Sequence, residues 1–431
     1  MPTSGGTGRP YPDGPLARRR SGRVLCRRPT GKESPMLTSS PQPANGRASQ
    51  LTDRPTPPAR PATRTTVGGR EVTETLGVEE EFLVVDRETR ELVPRGPELI
   101  AEVGDLGEHV SAELNRCQVE VDTPVCTDLA SLRDEVVAKR DRLRAAGDEL
   151  GLAAAAVATH PFSSWRHQAV DTDEERYEVM EDRFRLLARE HVICGCHVHV
   201  GISDPDDRVA VLAAAGAWLP TLLAMSTNSP YWQAEDTGYA SYRTVIWSRW
   251  PTSGMPPSIS SPEELQQIID DLITVGAIED ETHLYWWVRP SLRHPTVEFR
   301  VCDTFLHVDD VVAVTGLIRG LCWTALNAPE TLPSIPSRHV QRAAVWHAAR
   351  YGMRRDLVDL AAMEQRPAED VVRSLLDMAR PGLEHYRDDG VVTELVEQLI
   401  SRGTGASAQR LTRAEETSGG PVIDMVLDRM R

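Results

Sequence analysis

The sequence predicts an α+β fold, a largely antiparallel sheet backed by helices, and three observations carry that prediction. Strand-like segments come from well-separated parts of the 431 residues, with helical segments grouped between and after them. Four of the strands alternate polar and apolar residues, as a sheet with one packed face requires. No GxGxxG follows a strand, which sets aside a doubly wound dinucleotide-binding sheet.

Taken in order, residues 1–71 read as a disordered, basic, Pro/Arg-rich extension. The first seventy residues hold 12 of the 31 prolines and few large apolar side chains, too little to bury a core, and Met36 is a candidate alternative start. VTETLGVEEEFLVVD then reads as a strand, followed by turn residues and a short helix near PELIAEVG. SAELNRCQVEVDTPV reads as a second strand ended by Pro124. Asp128 caps an amphipathic helix with apolar residues at 129, 132, 136, 143 and 150, stopped by Gly151. LAAAAVATHPF is a buried strand, EERYEVMEDRFRLLAREH a helix, ICGCHVHVGI an alternating strand and DDRVAVLAAAGAWLPTLLAMS a core helix. GYASYRTVIWSRWP and YWWVRPSLRHPTVEFRVCD look extended, and four helical segments follow Asp309.

Composition narrows the chemistry. A 40% hydrophobic, 26% charged chain without a run of eighteen apolar residues, and without a hydrophobic signal core, is expected to be cytoplasmic and free of membrane spans. Seven thinly spread cysteines suit reduced thiols. Residues 1–70 hold 13 Arg+Lys against 3 Asp+Glu (+10), so the other 361 hold 35 against 61 (−26) and would repel a nucleic-acid backbone. Only Lys32 and Lys139 are lysines, and no GxxxxGK[ST] loop occurs, so arginine and metal would have to hold any phosphates.

Residues two apart on a strand share a face about 6.6 Å from each other. Glu79 and Glu81 therefore share a face, as do Gln118, Glu120 and Asp122, His197 and His199, and Glu298 and Arg300, with valines and Phe299 on the other side. Any one such pair reads equally as a solvated sheet face. Four pairs built mainly from Glu and His instead describe oxygen and nitrogen ligands for hard divalent cations, Mg²⁺ or Mn²⁺.

GVEEEF, the E-x6-E spacing from Glu113 to Glu120, THPF at 159–162, CGCHVHVG, DTGYASYR, RPSLRHPTVEFRVCD and AARYGM together resemble the carboxylate-amine ligases of the glutamate–cysteine ligase type 2 family, from about residue 74 to 405. The resemblance implies a glutamine-synthetase-like sheet curved into a catalytic funnel over 72–405; residues 406–431, which it does not cover, read as a C-terminal tail. It implies an enzyme that binds ATP and divalent cations and joins two small molecules, an amino-acid carboxylate and an amine, by way of an acyl phosphate, and it favours a homodimer. Carried over, Glu79, Glu81, Glu113, Glu120, His197 and Glu298 are the metal ligands. Arg300, near the transferred phosphate, and Arg243, at phosphate or the substrate carboxylate, are the catalytic residues; His199, Tyr239 and Ser241 are further nucleotide or substrate contacts, with Tyr239 and Ser241 reading equally as residues that fill a strand. Glu80, on the opposite strand face, is structural.

Three alternatives stand beside this reading. Cys194-Gly-Cys196-His197-Val-His199, read as a strand with both cysteines on the face of His197 and His199, offers a zinc or copper cluster. The HxH pair also fits a metal-dependent amide or ester hydrolase. A non-enzymatic scaffold would have lost metal ligands, and all six are present. His160 reads as a turn or core residue, or as a catalyst.

Overall fold

The computed structural model describes residues 65–67, 70–72, 75–104, 109–291, 293–415 and 419–430. The expected extension at 1–71 lies outside these, apart from 65–67 paired antiparallel with 70–72. The central sheet comprises β1 (Leu76–Asp86), β2 (Val110–Ala112), β3 (Gln118–Asp122), β4 (Leu152–Ala155), β5 (Gly195–Gly201), β6 (Val288–Pro290) and β7 (Thr296–Asp303). Its order is β6-β7-β5-β1-β3-β2, with β4 also pairing β1, and every pairing is antiparallel. The expected α+β architecture is therefore the observed one.

Helices follow the strands as α1 (Gly96–Val103), α2 (Leu129–Leu150), α3 (Glu175–Phe184), α4 (Pro205–Ala215), α5 (Leu219–Ser226), α6 (Tyr242–Trp247), α7 (Pro262–Thr274) and α8 (Val308–Asn327). The C-terminal part adds α9 (Arg338–Tyr351), α10 (Ala368–Tyr386), α11 (Asp389–Arg402), α12 (Gly405–Glu415) and α13 (Gly420–Arg429). Asp128 caps α2 by accepting the Ser131 N–H at 2.8 Å, and Gly151 ends it at φ 68°, as the sequence signals require. Among the described residues no single helix is long and apolar enough to cross a membrane.

Several expected elements differ. The segment 206–226 is two helices bent by 69° rather than one, with Pro220 opening the second. GYASYR was expected to be extended, but Ser241 accepts the Thr244 N–H and starts α6. The two longer extended stretches are hairpins, β2–β3 and β6–β7. Residues 406–431 are not a loose tail in their described part. Gln409 of α12 is fully buried and donates to Asn228 Oδ1 at 2.7 Å, and Ile423 and Val426 of α13 join the apolar cluster of Leu83 and Val85.

One face of the sheet is a core. Val78, Val198, Val200, Val297 and Phe299 are at most 3% exposed and pack with α8, while Phe82, Val119 and Val121 pack with α1 and α2. Glu80 points into this core, where Arg140 of α2 meets it through Nη2–Oε1 (2.6 Å) and Nε–Oε2 (3.0 Å) and also donates to the Phe305 and Leu306 carbonyls. The fork fixes β1 to α2 and to the end of β7, which makes Glu80 structural. His160 is structural as well: its Nε2–H donates to the Arg90 carbonyl (2.9 Å) and its Nδ1 accepts the Ser163 N–H (2.9 Å), and burial pushes its pKa down to about 3.

Two predictions follow from these buried groups. Glu80→Ala strands a buried guanidinium and is expected to cost about 3–5 kcal/mol of unfolding free energy in a denaturant titration; a loss under about 1 kcal/mol would contradict the assigned role. Because His160 titrates lower folded than unfolded, its contribution is complete above the ordinary histidine value and is lost as pH falls toward about 3. Unfolding free energy measured from pH 6 to 4 should fall by up to about 1.4 kcal/mol per unit from this one group, and His160→Gln should flatten that slope correspondingly.

Candidate active site

Register converts the sequence alternation into a site. Glu79 lies opposite both Asp122 and His197, Glu81 opposite Glu120, and Glu298 opposite His199, and opposed residues in antiparallel strands share a face. Glu113, just past β2, enters from the side of β3. The donor atoms gather into three groups, each with its members within 4.8 Å of one another: Glu79–Glu120–His197, Glu79–His199–Glu298 and Glu81–Glu113–Glu120. Glu79 and Glu120 each belong to two groups, so the three form a chain. All six ligands expected from the sequence take part, and His199, expected to contact nucleotide or substrate, joins them.

The charges explain why such a face needs a guest. Burial pushes the Glu81, Glu113 and Glu120 carboxyls up, and repulsion from neighbouring carboxylates adds to it, most of all at Glu120. Burial acts the same way on Glu79, but His197 Nδ1 at 2.8 Å and the His199 ring, with Nε2 3.0 Å away, outweigh it and hold this carboxyl well below the usual range. Glu298 is also held low against burial, by Arg300 and by Arg289, whose Nε lies 2.7 Å from Oε2. His197 Nε2 is buried without a hydrogen-bond partner while its other ring nitrogen is fixed by a carboxylate, the arrangement that orients a metal-binding imidazole. Five carboxylates and two imidazoles suit hard divalent cations, so the residues present fit such ions.

Apart from Glu81, which lines a smaller neighbouring cavity of about 100 Å³, these groups line a cavity of about 500 Å³. Acids and histidines form its sheet side; Arg289 and Arg300 stand beside Glu298, Arg176 and Tyr177 come from α3, and Arg293 and His294 from the β6–β7 turn. The sequence reading singled out Arg300 but missed the others. Arg289 was findable, since it sits directly opposite Glu298 in a hairpin whose strands both alternate.

Arg243, Tyr239 and Ser241 do not line this cavity. Arg243 is 3% exposed, stacks over Trp247 at 4.7 Å and donates from Nη2 to the Arg300 carbonyl, filling the space left by the missing side chain of Gly195. Ser241 is spent on Asp303 (2.8 Å), and the Tyr239 hydroxyl accepts the Trp346 indole N–H at 3.2 Å. Arg243 and Ser241 meet the last part of β7, at the Arg300 carbonyl and Asp303, where the pairing is irregular between Phe299 and Cys302. Cys196 does not share the histidines' face, because adjacent strand residues point oppositely; it lies opposite Cys302 in the core, and Cys194 is enclosed in a separate apolar cluster. No soft-metal cluster forms there.

Comparison with known proteins agrees with this architecture. The model of glutamate–cysteine ligase family 2 matches residues 75–428. A Mycolicibacterium smegmatis relative, provisionally named glutamate–cysteine ligase 2-2, is 41% identical over 358 residues, covering 82% of this chain and 89% of its own. A Rhodopirellula baltica relative, provisionally named glutamate–cysteine ligase 2, is 37% identical, covering 78% and 92%. The chain spans only 41% of the length of two Frankia relatives that it matches at 40% and 41% identity. Among solved structures, a glutamate–cysteine ligase from Francisella tularensis in complex with AMP superposes with a TM-score of 0.59 at 14% identity, covering 83% of this chain and 87% of that one. A bifunctional glutathione synthetase from Pasteurella multocida gives 0.62 at 15% identity, covering 82% and 52%. At such identities the likeness is one of fold. The match over 75–428 runs through every strand of the sheet and into the last helix, and the chain belongs to glutamate–cysteine ligase family 2.

Proposed function

We propose that this chain is an ATP-dependent carboxylate-amine ligase that joins the side-chain carboxylate of glutamate to the amine of cysteine. The observation that carries the proposal is the chain of three donor groups on one sheet face beside the Glu298–Arg289–Arg300 cluster, every member but Glu81 lining one cavity and Glu81 the smaller one beside it. Family membership supports the same reaction class. A hydrolase working through the HxH pair would need one such group and no cationic wall.

A carboxylate is a poor electrophile. Its oxygen must first take the γ-phosphoryl group of ATP, breaking the bond to ADP; the amine then forms the C–N bond while phosphate leaves with the C–O electron pair and the ammonium proton passes to solvent. Divalent cations, held by Glu79, Glu81, Glu113, Glu120, His197, His199 and Glu298, would neutralise charge on the phosphates. The chain's own contribution is positional. Arg300 and Arg289 are locked by Glu298 in a fixed fork, so they present positive charge to the cavity without reorganising during the reaction. Arg176 and Arg293 add positive charge on walls that carry no lysine. The partners are small molecules.

With ATP and Mg²⁺, ADP release measured by a coupled assay should require both glutamate and cysteine, and hydrolysis of a glutamyl amide without nucleotide would instead favour the hydrolase. Glu298→Gln removes both a donor and the clamp on the two arginines. It should stay folded by circular dichroism while kcat drops by about 10²–10³-fold; unchanged turnover would remove Glu298 from the machinery.

A further inference from the structure

Five residues, Glu113, Arg176, Tyr177, Tyr285 and Arg300, line both the main cavity and a smaller one of about 100 Å³ beside it. Past this shared neck the lining turns apolar. Leu114, Met180, Ile193, Trp247 and Trp250 are each at most 6% exposed. The wall is fixed in place: Trp250 donates its indole N–H to His191 Nδ1 at 2.9 Å, and its ring meets those of Phe184 at 4.6 Å and Tyr285 at 5.2 Å. Met180 lies one helical turn beyond Arg176 and Tyr177 on α3, so it shares their face.

The neck and the deep end differ in charge. Arg176 and Arg300 stand at the neck, whereas the ionisable acid that reaches the deep end is Glu81, whose Oε2 accepts the Gly195 N–H at 2.6 Å. The His191 nitrogen that accepts from Trp250 carries no proton, and the Arg243 guanidinium beyond Trp247 is turned to the Arg300 and Val301 carbonyls. The Tyr285 hydroxyl, in a residue 8% exposed, has no hydrogen-bond partner although it lines the neck. A buried phenol without a partner points to a ligand group that supplies one.

We propose that this side pocket receives the side chain of the amine substrate, an α-amino acid whose side chain is short and uncharged, and that Met180 and Trp250 set its permitted size. The assignment rests on the ligase reading above. Arg176 and the Tyr285 hydroxyl meet the substrate's α-carboxylate, which leaves its amine on the side of the main cavity. At about 30 Å³ per water-sized group the space takes roughly three or four non-hydrogen atoms, enough for a thiol or a short aliphatic chain and too little for an aromatic ring.

The test measures kcat/KM for ADP release with ATP, Mg²⁺ and saturating glutamate, using glycine, cysteine, methionine, aspartate and phenylalanine as amines. The wild type should use cysteine and reject aspartate and phenylalanine. Met180→Ala should raise the methionine-to-cysteine ratio at least 10-fold, and Met180→Phe should lower the cysteine-to-glycine ratio by a similar factor, the size expected when a pocket gains or loses a few carbon atoms. A purely structural effect would depress all amines together, and ratios that stay put in both variants overturn the pocket assignment while leaving the ligase intact. Absence of ADP release by the wild type with every amine would instead overturn the ligase reading, and the pocket assignment with it.

Discussion

The crowding of five carboxylates on one face of a largely buried sheet is the constraint on which the rest of this structure depends. Left alone, Glu81, Glu113 and Glu120 are driven toward protonation by burial and by one another, while Glu79 and Glu298 keep their charge only because histidines and arginines stand against them. Such a surface is costly unless cations join it. Under the proposed function the arrangement has a use, since the same negative field that opposes folding would concentrate positive ions at one point.

The remainder of the fold supplies the stiffness that keeps these charges together. The opposite face of every central strand is apolar and sealed by α1, α2 and α8, so a slip of one residue would bury the acids and expose the valines. Glu80 and Arg140 then tie β1 to α2 and to the residues after β7. The last helix completes the arrangement: Leu83 and Val85 continue the parity of Glu79 and Glu81, yet they are covered by Ile423 and Val426, which confines the polar patch to one end of β1.

Much of this was legible in the sequence because strand alternation is a local rule. The pairing of Glu79 with Glu81 and of His197 with His199, the inward turn of Glu80 and the cap at Asp128 depend only on neighbours in the chain. Most of the differences come from interactions that local pattern does not encode, and one, at the cysteines, from misapplying the alternation rule itself. Arg243, Tyr239 and Ser241 share one stretch of sequence, but Ser241 starts a helix that seats the Arg243 guanidinium against Gly195, on the acids' face yet outside the main cavity. The two cysteines were placed on the histidines' face although Cys196 and His197, as neighbours, cannot share one. The final helices were missed because their partners lie far away in the chain, 181 residues for Gln409 with Asn228 and 334 for Asp424 with Arg90, yet the unbroken apolar run Phe82–Val85 was a sign that both faces of β1 are covered there.

The central claim is that glutamates and histidines from distant strands act together as a multi-ion donor chain. Electron paramagnetic resonance of Mn²⁺ titrated into the purified protein counts the ions directly. The account predicts two or three ions bound per chain, with Glu79→Gln, which strikes the two groups that share this residue, reducing the number. Weak binding of a single ion that is indifferent to Glu79 would contradict it.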